Sequence, residues 1–318
     1  MRCIKGREAY GGMIKEKRVK GTRIKSSWDT KLFHVIGYFF VAFFALACAI
    51  PFYLVLTGSF TDEKWILSKG YSFWLTSENI SLEGYATIFR SPEKILSAYG
   101  VTIFVTIVGT TLAILLVTMT GYVLSRPDFP WRNGVSLFFF FTTLFSGGLV
   151  PYYLLCTQYL NFKNHIYALI IPGLFSVWNM VIAKSFMKGI PNELVESAQM
   201  DGAGDLLIYF RIMMPLSKPM IATLSLFTAL GYWNDWYNCM LFISDDKKYN
   251  LQYTLQNLLR SAEFITKIAY EQGRTVASVP SESMKLAMTV IAIGPIIMLY
   301  PFLQKYFVKG MTIGSVKG

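Results

Sequence analysis

The chain has 318 residues, 53% of them hydrophobic and 15% charged, with a formal net charge of +11. Soluble domains carry about 25% charged residues, so this composition excludes an ordinary soluble protein. Its apolar runs are long and continuous, which excludes a barrel of short alternating strands and indicates an all-α, polytopic membrane protein.

Residues 1–33 form a basic arm carrying Arg2, Lys5, Arg7, Lys15, Lys17, Arg18, Lys20, Arg23, Lys25 and Lys31. The arm is too long and too charged for an ordinary signal peptide. It is expected to be disordered or to lie on the cytoplasmic membrane surface. Six spans are predicted within a permease domain over 34–307, at about 35–56, 99–124, 135–155, 166–187, 220–243 and 284–307. Between the first two, 57–97 carries Trp65, Phe73, Trp74 and Tyr85, which predicts packing on the outer membrane face. In the third span, Ser146-Gly147-Gly148 before Pro151 predicts a break or kink in its outer half. The polar segment 244–283 is expected to be helical over 251–264. The sixth span is expected to be interrupted at Gly294-Pro295 and Pro301, and a tail follows over 308–318.

Six spans put both termini on one side. The larger share of the 30 Lys/Arg falls on that side, and the short 125–133 link adds Arg126 and Arg132. This bias assigns the termini to the cytoplasm. The basic charge then follows from orientation, with some attraction to anionic lipid, and nucleic-acid binding is not needed to explain it. Cys3, Cys48, Cys156 and Cys239 show no metal spacing, and His34 and His165 give metal or proton-relay chemistry little material.

Between the fourth and fifth spans lies a polar island over 191–219, bounded by Pro191, Pro215 and Pro219. Asn192 is expected to cap a short helix, Glu193–Met200, with Glu193 and Glu196 in its first turn, where the helix dipole favours acids. Asp201-Gly202-Ala203-Gly204 breaks that helix, and a second is predicted over Asp205–Ile212. Such a knob could lie on lipid headgroups or dock on a protein, and the residues alone leave both open.

The spacing of Glu196-Ser197-Ala198, Gly202, Ile212 and Pro215 resembles the EAA signature of ABC-importer permeases, with Ser197 for Ala and Met214 for Leu. Asp201-Gly202-Ala203 resembles the form common in sugar permeases. The closing residues 307–318 are similar to the tail of maltose-transporter-type permeases, and the likeness covers about 34–318. Gly121-Tyr122, Gly231-Tyr232-Trp233-Asn234 and Ser81-Leu82-Glu83-Gly84-Tyr85 also resemble that family. Phe145 to Pro151 is similar to a subgroup that imports larger oligosaccharides.

The resemblance implies a type I ABC importer permease fold in the bacterial cytoplasmic membrane. It implies a second, homologous permease subunit, a cytoplasmic ATPase dimer that uses ATP and Mg, and an external substrate-binding protein that delivers a carbohydrate. The chain itself would bind no cofactor. The island would be the coupling helix seated in the ATPase, through Glu196, Ser197, Ala198, Asp201, Gly202, Ala203, Ile212 and Pro215. Gly310, Gly314, Lys317 and Gly318 would enter the ATPase interface.

In the fifth span, Trp233, Asn234, Asp235 and Tyr237 could contact a sugar, because aromatic faces stack on sugar rings and amides bond hydroxyls. They could equally form an aromatic belt or pack between helices. The chain has no Gly-Lys dipeptide, hence no P-loop, and nothing pairs a nucleophile with a base. It is therefore expected to be a non-catalytic subunit. An ion-coupled secondary sugar carrier is the alternative; it would need internal repeats and a coupling-ion site, for which only Asp235 is a candidate.

Overall fold

Capping side chains and prolines set the helix starts. In the computed structural model, which describes residues 28–271 and 281–314, helix α1 runs Trp28–Ser59. The helix therefore begins inside the expected basic arm, whose remainder lies outside the described residues. Residues 28–52 form a compact unit of their own, an uninterrupted apolar helix with exposed side chains such as Phe39, Phe43 and Leu46.

The second unit begins at Tyr53. Asp62 starts α2 (Glu63–Lys69) by accepting from the amides of Lys64 at 2.9 Å and Trp65 at 3.3 Å. Helix α3 (Glu83–Ile88) follows, then α4 (Pro92–Ser125) with proline in its first turn, where a missing N–H costs nothing. Helices α5 (Arg132–Leu144) and α6 (Leu149–Leu154) are separated by the Ser-Gly-Gly stretch, and α6 runs on as a π-turn to Tyr159. The two arms meet at 112°, so of the expected break or kink the structure shows a full break.

The expected single helix over 166–187 is instead two 3-10 turns, Ile166–Leu169 and Ile171–Gly173, followed after a 48° bend by α7 (Val177–Lys188). The cause is Pro172, which cannot donate to the ladder. The Ile170 carbonyl accepts from the Gly173 amide at 3.2 Å and also from the Tyr232 hydroxyl at 2.8 Å.

Helices α8 (Glu193–Met200), α9 (Asp205–Ile208) and α10 (Met214–Leu216) build the polar island. Next come α11 (Lys218–Trp233), α12 (Trp236–Phe242), α13 (Leu251–Glu271) and α14 (Ser281–Gly314). Helix α13 extends beyond the expected 251–264. Helix α14 is continuous through Pro295 and Pro301, against the expected interruption. In an apolar setting no water competes for the carbonyls a proline frees, so the ladder resumes one turn later.

Among the described residues there are no strands, only one isolated bridge between Thr61 and Ile80. Three helices are long and apolar enough to cross a membrane, Trp28–Ser59, Pro92–Ser125 and Ser281–Met298, and three bent pairs bring the number to as many as six. Helix α4 is the packing axis of the second unit. Its Gly121 approaches α7 so closely that an added Cβ would stand 2.8 Å from that of Ala183. Only glycine permits that helix separation. Helix α14 is tied to α2 by the buried Glu63 carboxylate, which accepts from the amides of Glu282 at 3.0 Å and Ser283 at 2.8 Å. That carboxylate caps a helix start where the dipole favours an anion.

Candidate functional site: the polar island and the break after α11

The island is a helix closed by a left-handed cap. At the end of α8, the Ala203 amide donates to the Ala198 carbonyl at 2.9 Å and the Gly202 amide to the Gln199 carbonyl at 2.9 Å. These two bonds form a Schellman motif, which needs a residue at positive φ. Gly202 supplies it at φ +82°. A Cβ at Gly202 would meet nothing within 4 Å, so the glycine is required by backbone conformation rather than by space within this chain.

Asn192 was expected to cap α8, but it sits in the helical region and makes no capping bond; its amide instead donates to the Glu196 carboxylate at 2.6 Å. The expected helix over Asp205–Ile212 is only one turn of α9 followed by a wide π-turn, Tyr209–Met213. Tyr209 and Met213, at the two ends of the wide turn, are both buried.

Val195, Ile208, Tyr209 and Met213 are buried with Tyr122, Leu124, Met187 and Leu224 in one cluster joining the island to α4, α7 and α11, and Ala198, Ala203 and Ile212 pack against it. The Tyr209 hydroxyl lies 2.8 Å from Thr118 Oγ1 of α4. Arg126, at the end of α4, is a second tie. Its guanidinium donates to both Asp128 carboxylate oxygens at 2.8 and 2.7 Å, donates to the Tyr122 hydroxyl at 3.1 Å, and lies 3.7 Å from the Asp205 carboxylate. The Asp128 bond holds the Arg126 proton more firmly than usual, and the same bond holds the Asp128 carboxyl below its ordinary range.

The opposite face is open. Glu196, Ser197, Asp201, Gly202 and Pro215 are exposed, and the apolar Met200 is 89% exposed beside exposed Leu194 and Leu206. The structure thus divides the motif residues. Ala198, Ala203 and Ile212 hold the knob to its base, while Glu196, Ser197, Asp201, Gly202 and Pro215 line its free face. The ties through Arg126, Tyr209 and Thr118 escaped the sequence reading, because partners 91 positions apart, as Thr118 and Tyr209 are, leave no local pattern.

The four residues weighed for substrate contact do not form one surface. Trp233 is placed differently from a sugar-stacking aromatic. It is buried, its Nε1 donates to the Ala292 carbonyl at 3.0 Å, and it packs with Met288 and Leu255. Asn234 opens on a cavity of about 400 Å³ lined also by Gln252, Gln256, Lys285 and Thr289. Its Oδ1 accepts from Gln252 at 3.0 Å. Asp235 opens on a different cavity, of about 390 Å³, with Ser176, Asn179 and Thr228. Its carboxylate also starts α12, accepting from the Asn238 amide at 3.1 Å and the Asn238 side chain at 2.7 Å. Tyr237 is partly exposed and packs edge-on against Trp236. Of the tail residues, Gly310 and Gly314 fall within α14, and Lys317 and Gly318 lie outside the described residues.

The chain matches the family model of the binding-protein-dependent transport system inner membrane component over residues 99–313. It is 38% identical to the polygalacturonan/rhamnogalacturonan transport system permease protein YtcP of Bacillus subtilis, over 91% of this chain and 99% of that protein. It is 37% identical to Protein LplC of the same organism, over 91% of this chain and 96% of the relative. A solved bacterial ABC transporter involved in the import of the acidic polysaccharide alginate has a chain that superposes with a TM-score of 0.73 at 25% identity, covering 88% of this chain and 98% of that one.

Proposed function

The chain belongs to the family of inner membrane components of binding-protein-dependent transport systems, and from that premise we propose that it is the permease subunit through which an ABC importer passes an oligosaccharide. The island over 191–219 is its coupling element. The carrying observation is the division of the island into an anchored base and an open face. Arg126, Thr118 and the shared core fix the base, and Glu196, Ser197 and Met200 stand free. A knob built so transmits a push as a rigid body into α4, α7 and α11.

The partner on the open face is a cytoplasmic ATPase dimer, which uses ATP and Mg; this chain binds neither. A second permease subunit completes the pathway, and an external binding protein delivers the sugar. The island and both termini face the cytoplasm, consistent with Arg126 and Arg132 in the link beside it. Asn234, with Gln252 and Gln256, offers amides to sugar hydroxyls along the pathway. The relative named for polygalacturonan and rhamnogalacturonan transport suggests the candidates to test first.

The test is a reconstituted transporter assayed for sugar-stimulated ATP hydrolysis. Ser197→Trp places bulk on the free face without touching the base. Insertion and folding should be unchanged, while stimulated hydrolysis falls at least tenfold, about 1.4 kcal/mol of lost coupling. Normal stimulation in that variant would sink the coupling assignment.

A further inference from the structure

A group of cations without carboxylate partners lies beside the island. Arg132 and Ser136 are one turn apart on α5, and Lys184 and Lys188 are one turn apart on α7. The Lys184 ammonium donates to Ser136 Oγ at 2.7 Å, and Ser136 donates to the Arg132 carbonyl at 2.5 Å, so the two turns lie side by side. Among the described residues no carboxylate forms an ion pair with any of the three cations. Arg126 differs, because Asp128 and Asp205 meet its charge.

A cavity of about 220 Å³ opens at this point, lined by Arg126, Arg132 and Lys188 together with Ser125, Asn192 and Val195. It lies where α4 and α7 end and α5 begins, at the edge of three membrane-crossing paths. Phospholipid phosphates sit at that depth, and basic pockets between helices there attract anionic headgroups. Like charges held together at the rim of a low-dielectric region repel unless an anion joins them. Among the described residues neither Arg132 nor Lys188 forms an ion pair; Arg132 Nη1 donates to the Arg126 carbonyl at 3.3 Å, and its other N–H groups are donors suited to phosphate.

We propose that this cavity binds the phosphate of an anionic phospholipid headgroup, with Arg132 and Lys188 as its principal ligands. Its far wall is the base of the island, through Asn192, Val195 and Met213. A bound headgroup therefore touches the element that moves. The proposal rests on the membrane placement given above, and the binding itself does not require the island to couple to an ATPase.

The experiment places the full transporter in phosphatidylcholine nanodiscs carrying a trace of photoactivatable phosphatidylglycerol and measures labelling of this chain. Lys188→Gln should lower specific labelling about fivefold, and Arg132→Gln with Lys188→Gln about 30-fold. Lys188→Arg, which keeps the charge, should retain it, as should Lys94→Gln on a distant surface. Labelling unchanged in the double variant overturns the proposal. Full displacement of the probe by excess inorganic phosphate overturns the lipid as the ligand in favour of the free anion. Labelling that rises only when the ATPase is stripped away overturns it in favour of an acidic side chain of that partner. Ser197→Trp separates the two readings. It should abolish coupling and leave labelling intact, so loss of one result does not entail loss of the other.

Discussion

The two ends of α11 are both breaks in the helical path, and they are closed by different means. Before α11, the island closes on itself. The Ala203 and Gly202 amides return to carbonyls three to five positions back, and Ser217 donates to the Met213 carbonyl at 3.0 Å. After α11, the turn at Asn234 and Asp235 has local bonds, the Asn234 amide donating to the Leu230 carbonyl at 3.1 Å, but it is also tied by side chains from farther along the chain. Gln252 donates to Asn234, and the Asn250 side chain donates to the Asp235 carbonyl. Asn250 also starts α13, accepting from the Tyr253 amide at 3.0 Å. A locally closed break can move as a unit, whereas one closed by distant side chains binds separate helices together. The first suits an element that carries motion, the second a fixed wall beside a cavity.

Substitutions can break or sharpen that contrast. The largest effect is expected at Tyr209, whose fully buried ring fastens the island to its base. Tyr209→Ala should lower stability by about 3–4 kcal/mol through the cavity it leaves, read as the unfolding midpoint in detergent. Tyr209→Phe removes only the contact with Thr118 and should cost ~1 kcal/mol or less. Equal losses would mean that the hydroxyl, and not the packing, holds the island.

Asn250→Ala should come next, at about 2 kcal/mol, because Asn250 is buried and two helix ends lose a partner with it. Its signature is cooperative: amides at the starts of both α12 and α13 should exchange faster together. Faster exchange at α13 alone would show that the break is not tied from a distance.

Gly202→Ala is expected to cost about 1 kcal/mol, all of it from the left-handed backbone, since nothing crowds the added methyl. The increased exchange should be confined to the Gly202 and Ala203 amides. Spread of the effect into α4 would contradict local closure.

The smallest effect concerns acid. Because the Arg126 bond lowers the Asp128 carboxyl in the folded chain, its contribution is complete above about pH 4 and fades as pH falls through the lowered value. Asp128 is well exposed, so the contribution is at most ~1 kcal/mol. Arg126→Gln should remove this acid sensitivity from the unfolding midpoint; an unchanged slope below pH 4 would show that Arg126 does not act through Asp128.

What the sequence alone could determine follows from how far each restraint reaches. Continuous apolar runs identify a membrane protein because the bilayer demands satisfied backbone over a fixed length. Helix α8 and its glycine break were legible because a Schellman cap spans six residues, Ala198 to Ala203. The break in the third path was legible as a break or kink, but the size of its 112° bend was not. Neither was the loss of regular helix before α7, since a proline shows where a ladder must fail and not how distant side chains will pack against the break.

Only tertiary structure decided which motif residues anchor the island and which stand free. It turned Trp233 into a core residue and sent the adjacent Asn234 and Asp235 to separate cavities. It also brought Arg132 and Lys188 to the rim of a third, with no ion-pair partner for either among the described residues. In each case the deciding contact joins residues remote in sequence. Their juxtaposition follows from how α4, α7, α11, α13 and α14 pack, and no local spacing encodes it.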